Sequence, residues 1–459
     1  MRDVYVVGVS TLKFGKYGDR SVKDLAAEAV RGALADAGVT LDELEAAWFA
    51  NSAWGLHGFQ HCVRGQVALR GAGVEGIPIT NVENACAGGS TALHEAWSAV
   101  AGGHHDVALA IGAEKIWNPN KYSVFASFLG GTDVERIVDE AARVRDRAPT
   151  QEAVTRAPRQ RSNARPLRAR LGDLRDQAVV AVQLGEAIGW GTLRRLIEIS
   201  GRGGRDHSPF MDIYAYAARE HMARHGTTAR QLAAIASKNH WHSSLNPNAQ
   251  YTFEVSIDRV LADRIVAPPL TRAMCAPIGD GAAAAIVMSA AAVRRRGLGG
   301  RAVRVRASVL GSGRQLGPGV PGISERLAAQ AYERARVGPD DIDCAEVHDA
   351  TAFGELHQSE ALGFFPLGEG GRAAERGDTR IGGAKPINTS GGLLSRGHPV
   401  GASGLAQIHE LVTQLRREAG ARQVANARIA LAENGGGALE GEEAAMCLHV
   451  LEGPERRAK

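Results

Sequence analysis

Cysteine is scarce in this sequence. There are five in 459 residues, Cys62, Cys86, Cys275, Cys344 and Cys447, and no two form a Cys-x-x-Cys pair. That spacing argues against a disulfide framework or a zinc ribbon and points to a reducing, cytoplasmic setting. Long apolar runs are also missing. The longest candidate, Gly281 to Val293, is mostly alanine and too short for a membrane span. No basic start with an apolar stretch precedes the strand-like Val4-Tyr5-Val6-Val7, so no secretory signal is expected. Charge of one sign is lacking too: the formal net charge is +4, which makes no case for nucleic acid. What is present, 44% hydrophobic and 23% charged residues with 56 glycines, is an ordinary globular composition with room for two large units.

The order of elements repeats. Val4 to Ser10 reads as a strand, Ser21 to Ala37 as a helix with Val22, Leu25, Ala26, Val30 and Leu34 on one face, and the stretch from Asp42 to Ala50 leads into a second strand. From Val303 the same succession returns: a strand to Leu310, a helix carrying Leu327-Ala328-Ala329, then Asp340 to Val347. Val107 to Gly112 pairs in this scheme with Arg428 to Leu431. Two copies of a strand–helix–strand–helix–strand unit imply an α/β fold, with residues 1–292 as the first half and 293–459 as the second. A region of about 118–210 is inserted in the first half. Its arginines, from Arg136 to Arg175, read either as a solvated face or as a patch for the phosphates of a nucleotide-like ligand. Phe210 to His225 reads as a helix, and Ala285 to Met288 as a buried strand.

Four motifs carry the chemistry. Glu83-Asn84-Ala85-Cys86-Ala87-Gly88-Gly89-Ser90 opens an amphipathic helix bearing Leu93, Ala96, Trp97 and Val100. A thiol at a helix N-terminus loses its proton more readily, and the glycines leave room for a substrate. The plainer alternative is a buried structural cysteine. Asn388-Thr389-Ser390-Gly391-Gly392 runs on to Gly397-His398-Pro399-Val400-Gly401-Ala402-Ser403-Gly404, the counterpart loop of the second copy. Two such loops facing across a pseudo-twofold axis would bring His398 to Cys86 as its proton acceptor. His348, in Glu346-Val347-His348-Asp349-Ala350, stands at a strand end, where α/β folds place ligands, and could donate to an oxyanion. Glu433-Asn434-Gly435-Gly436-Gly437 offers backbone N–H groups after a strand, with Glu433 as either a base or a structural carboxylate. His240 and His242 would share one face of a strand, but no third ligand stands nearby and no metal is expected.

Taken together, Asn84 to Gly89, His348-Asp349-Ala350, Asn388 with Gly391-Gly392, Gly397-His398-Pro399 and Gly435-Gly436-Gly437 resemble the thiolase superfamily, most closely its sterol-carrier-protein-type branch. Phe210-Met211-Asp212, His221-Met222, Lys238-Asn239-His240 and Asp280 to Ala283 fit that branch as well, so the resemblance spans nearly the whole chain. It implies a thiolase fold, a five-layer α-β-α-β-α sandwich of duplicated βαβαβ halves with an inserted loop domain. It implies an acyl-CoA acyltransferase in which Cys86 carries the acyl group, His398 activates it and His348 binds a thioester oxygen. The oxyanion hole would be the N–H groups of Cys86 and Gly436, with Asn388, Gly391 and Gly435 binding substrate. No permanent cofactor is implied, only a coenzyme A thioester as substrate. A homodimer or dimer of dimers is implied as well.

The match fails at one function. Members of the family carry a second catalytic cysteine where this chain has Glu433 or, in the sterol-carrier branch, Ala350. Three readings follow. A Claisen-type acyltransferase would use Glu433 or His348 as the replacement base. A decarboxylative synthase would gain its carbanion by decarboxylation and need no second thiol. A lipid-carrier or aldolase-type subunit would work with a small OB-fold partner protein. Pocket walls are expected from the insertion and from Trp54 to Gln60.

Overall fold

The computed structural model describes residues 2–119, 121–134, 208–317 and 319–454. Nine strands form one sheet: β1 (Val4–Thr11), β2 (Ala46–Ala50), β3 (Ile79–Val82), β4 (Val107–Glu114), β7 (Gly281–Ser289), β8 (Val303–Ser312), β9 (Cys344–Glu346), β10 (Ile429–Gly436) and β11 (Ala445–Glu452). Two short strands, β5 (Ile265–Ala267) and β6 (Leu270–Thr271), pair separately.

The order along the sheet is β3-β2-β4-β7-β1-β8-β11-β10-β9. It mirrors about the β1–β8 seam, where Tyr5 and Val6 pair antiparallel with Arg304 and Val303. On each side of that seam the inner pairs are antiparallel and the outer pairs parallel. Ile387 bridges Ala345 in parallel, taking the place beside β9 that β3 takes beside β2. Parallel outer strands need crossovers, and in each half the crossover into the site ends in a helix.

Those two helices, Gly88–Gly102 and Ser403–Arg416, form the central layer. Leu93, Ala96 and Val100 of one and Leu405, Ile408 and Leu411 of the other share a core with Val6 and Ala285 of the first half and Ala430 and Leu451 of the second. The opposite face of each half carries its own helix, Val22–Ala37 in one core and Ile323–Ala335 in another. The result is the α-β-α-β-α layering. Sequence dictates it locally: β7 reads Gly-Ala-Ala-Ala-Ala-Ile-Val-Met-Ser and is buried throughout, the signature of a strand covered on both faces. Helix Val22–Ala37 starts on a capping box between Ser21 and Asp24 and stops at Gly38 in the left-handed conformation.

Two expectations change. β10 does not end at Leu431; it runs through Gly436, because β11 supplies partners for the glycine run. His240 and His242 lie in the helix Ala229–Ser244, not a strand, and bond separately to Ser395 and to the backbone of Asn388. The arginines from Arg136 to Arg175 lie outside the described residues. Among the described residues no helix is long and apolar enough to cross a membrane.

Candidate active site

Cys86 sits in a single 3-10 turn, Ala85–Ala87, that runs straight into the helix Gly88–Gly102. The turn is strained: Ala85 has φ +47°, a left-handed conformation costly for a residue with a side chain. Glu83 holds it there, its carboxylate accepting from the Ala85 N–H at 2.8 Å and from Ser52 Oγ at 2.9 Å. Gly89 contributes through packing, since a Cβ there would meet the Gly401 carbonyl at 2.8 Å. The glycine lets the two central helix N-termini approach, so its first service is to the scaffold and not to substrate access.

The approach brings the two loops together. Cys86 Sγ lies 3.2 Å from His398 Nε2. On the far side of that ring, Nδ1 lies 2.7 Å from Ser403 Oγ, which donates its own proton to the Pro399 carbonyl at 2.9 Å. A hydroxyl has one proton. With it spent on Pro399, Ser403 can only accept, so His398 carries its proton on Nδ1 and turns the Nε2 lone pair to the thiol. His348 has the opposite tautomer. Ser90 Oγ donates to Asn434 Oδ1 at 3.2 Å, and Asn434 Nδ2 donates to His348 Nδ1 at 3.0 Å, which leaves the N–H on Nε2. The two imidazoles meet edge to face, with centroids 5.3 Å apart. One ligand-type atom from each of Cys86, His348 and His398 lies within 4.8 Å of the others.

Electrostatics make this a neutral assembly. Burial pushes the Cys86 thiol up to about 12, and the charges of Glu114 and Glu83 add to that, against the pull of the Cys86 and Gly437 backbone N–H groups. Desolvation works against the expected easy loss of the thiol proton at a helix start. Burial holds His398 well below its ordinary value and His348 at about 4.

The thiol forms part of the wall of a cavity of about 430 Å³, lined near the sulfur by His348, Ala350, His398, Gly435, Gly436 and Gly437. Phe125, Phe128, Phe210 and Met211 form an apolar wall, with Phe128 and Phe210 in an edge contact. Of the stretch Trp54 to Gln60 none lines it; Ser52, Ala53 and Arg64 do.

Several expected site residues do other work. Glu433 does not line the cavity: its carboxylate is buried and accepts from the His348 backbone N–H at 2.8 Å. Burial, with the nearby charge of Glu443, raises it to about 8, against the backbone N–H groups of His348 and Gly435. Asn388 is consumed by the scaffold, accepting from Val347 N–H and donating to Glu355, both at 2.9 Å. Gly391 backs onto the helix Ala229–Ser244, where a Cβ would meet Ser243 at 2.4 Å. Neither lines the cavity; Gly435 does. Gly436 serves close approach, a Cβ there meeting the Asn84 carbonyl at 2.3 Å, while the backbone N–H groups that favour the thiolate are those of Cys86 and Gly437. Sequence reasoning missed Tyr214, Glu443, Ser403 and Asn434. The last two lay inside the motifs as neighbours of glycine. Glu443 sits in a run of acidic residues that reads as a solvated turn.

Comparison with known proteins gives the family. Residues 4–135 match the thiolase N-terminal domain and residues 323–448 the thiolase C-terminal domain-like family. An acetyl-CoA acetyltransferase of Methanothermobacter thermautotrophicus is 38% identical over 95% of this chain and 97% of its own. The chain belongs to the thiolase family. It is a thiolase-like acyltransferase. Sterol carrier protein 2 of Homo sapiens is 36% identical across 95% of this chain and 70% of that protein. The Ltp2-ChsH2(DUF35) aldolase shares the fold, with a TM-score of 0.69 at 20% identity over 99% of both chains.

Proposed function

We propose that this thiolase takes an acyl group from a coenzyme A thioester onto Cys86 and then makes or breaks a carbon–carbon bond to a second acyl unit. The observation that supports it best is the Cys86–His398 contact of 3.2 Å, with the imidazole lone pair facing the thiol. In the first step Cys86 Sγ attacks the thioester carbonyl while His398 Nε2 takes the thiol proton. The N–H groups of Cys86 and Gly437 receive the oxyanion. As the tetrahedral intermediate collapses, the coenzyme A sulfur leaves and takes the proton back from His398. In the second step the Nε2–H of His348 binds the enolate oxygen of the incoming acyl unit. The aromatic wall of Phe125, Phe128 and Phe210 suits an acyl chain bulkier than acetyl.

Two further readings remain within the same site. Ala350 has no ionisable group and the Glu433 carboxylate does not line the cavity, which favours a decarboxylative synthase if no other base exists. An aldolase of the same fold carries a DUF35 name beside its own, which favours a small OB-fold partner. The proposal also includes two duplicated halves, 1–292 and 293–459, a homodimer or dimer of dimers, a cytoplasmic setting for five free cysteines and no permanent cofactor.

Incubation with a panel of acyl-CoAs and intact-protein mass spectrometry tests the first step. The expected result is one acyl mass on Cys86 and none on Cys86→Ala. An unmodified wild-type protein, with its thiol still titratable, would sink the reading.

A further inference from the structure

The reaction needs a group to take the Cα proton of the second acyl unit, and the two positions where the family carries a thiol are unable to supply it here. Ala350 has no proton to exchange. The Glu433 carboxylate does not line the cavity; one of its oxygens accepts from the His348 N–H beneath the loop. The other groups that line the cavity can be taken in turn. His398 aims its Nε2 lone pair at the Cys86 sulfur, which carries the acyl group in this step, and His348 has its only lone pair on Nδ1, filled by Asn434. Cys275 faces away to the Thr271 carbonyl at 3.4 Å, and burial lifts its thiol to about 12. Glu83 is tied to the strained Ala85 turn.

One lining carboxylate is left, Glu443, just before β11. Its stem lies against the glycine run: a Cβ on Gly435 would stand 2.9 Å from Glu443 Cγ. A side chain at Gly435 would therefore displace it. Gln358 Nε2 reaches Glu443 Oε1 at 3.5 Å and fixes its outer side. Tyr214 lines the same cavity from the helix Pro209–His225, within electrostatic reach of both Glu443 and Cys86. Burial, with the charge of Glu443 next, holds its phenol well above the ordinary value, so it stays protonated and able to donate.

We infer that Glu443 is the base for the second acyl unit and that Tyr214 returns the proton to Cys86, the two together replacing the absent second thiol. The inference rests on the acyl-cysteine reading above. The Glu443 carboxylate accepts the Cα proton as the C–H pair moves into an enolate bound by His348. The enolate carbon attacks the acyl carbonyl on Cys86, the new C–C bond forms and the C–S bond breaks. Tyr214 gives its proton to the departing Cys86 sulfur and takes one from Glu443. One proton has then moved from Cα to sulfur and every group is restored.

Two measurements on the same full-length protein separate this inference from its foundation: acyl-adduct formation on Cys86, and uptake of solvent deuterium at Cα of the acyl-CoA. E443Q is expected to form the adduct within about threefold of wild type and to lose deuterium uptake by about 10²-fold or more. E443D should recover at least about a tenth of that uptake, whatever the stability of E443Q. Y214F should keep uptake within about threefold and lose overall turnover by about tenfold or more. Wild-type uptake rates in E443Q, no recovery in E443D, undiminished turnover in Y214F, or a wild-type protein that acylates but takes up no deuterium would each overturn the inference. Absence of the adduct in wild type would instead remove the acyl-cysteine reading.

Discussion

The Cys86 sulfur and the His398 Nε2 lie 3.2 Å apart, and burial leaves both of them uncharged. The thiol is held up at about 12 and the imidazole is held down, so both shifts favour thiol and neutral imidazole over a thiolate–imidazolium pair. Proton transfer is therefore coupled to attack on the thioester. Alkylation of Cys86 by iodoacetamide should climb about tenfold per pH unit from 6 to 9, with no plateau near neutrality. A plateau with a midpoint below pH 7 would mean a preformed thiolate. His398→Ala should slow acylation from acyl-CoA by about 10²–10⁴-fold.

Ser403 sets the His398 tautomer through a hydroxyl whose proton already goes to Pro399. Ser403→Ala removes the acceptor for Nδ1–H and frees the ring to turn its lone pair away from the thiol. Losing one buried hydrogen bond of ~1–1.5 kcal/mol predicts about a tenfold slower acylation. Ser403→Thr keeps the hydroxyl and should retain most of the rate. Single-turnover adduct formation measures both, and equal rates in all three proteins would refute the tautomer argument.

Much of this was legible in the sequence, for physical reasons that differ by residue. Cys86 and His398 were findable because each stands in a glycine loop before an amphipathic helix, and duplication places such loops face to face. Asn388 and Gly391 misled because a polar residue beside glycines looks alike in a scaffold and in a binding site. Only the packing against Val347, Glu355 and Ser243 separates the two. The burial that opposes ionisation of the thiol was not legible, because a helix start is visible in sequence, whereas the apolar contacts around Cys86 from Ala53, Ile116 and Val400 come from three distant segments. Glu443 was missed because a carboxylate in an acidic turn is ordinarily solvated.

Asn434 fixes the other imidazole. It donates to His348 Nδ1 at 3.0 Å while accepting from Ser90 at 3.2 Å. Asn434→Asp replaces the donor with an acceptor, so His348 should move its proton to Nδ1 and lose the Nε2–H that faces the cavity. Removing one oxyanion donor costs about 10²–10³ in kcat. Cys86 acylation, which uses the other imidazole, should change by less than about threefold in the same protein. Equal losses in both steps would show that Asn434 acts on the fold and not on the tautomer.

Stability should fall when the pH drops from 7 to 5. Burial depresses His94, His240, His348 and His409 to about 4 and His449 to about 3. Their unfolded forms take up protons near pH 6.5, so below that pH the unfolded chain binds more protons than the folded one, and each histidine adds a loss of up to about 1.4 kcal/mol per pH unit. Five raised carboxyls act in the opposite sense: burial lifts Glu433 to about 8 and Glu346 to about 7 and also raises Glu114, Asp280 and Asp349, so their protonation on acidification favours the folded state. Burial also depresses His57, His242 and His398, and eight histidines against five carboxyls give a net loss between about pH 6.5 and 4.5. Urea midpoints across that window should therefore move down with falling pH. Replacing buried His449, whose Nδ1 bonds Ser308 at 3.0 Å, by Gln should flatten the slope. A midpoint that rises toward pH 5 would mean that the carboxyls, and not the histidines, dominate the buried titrations.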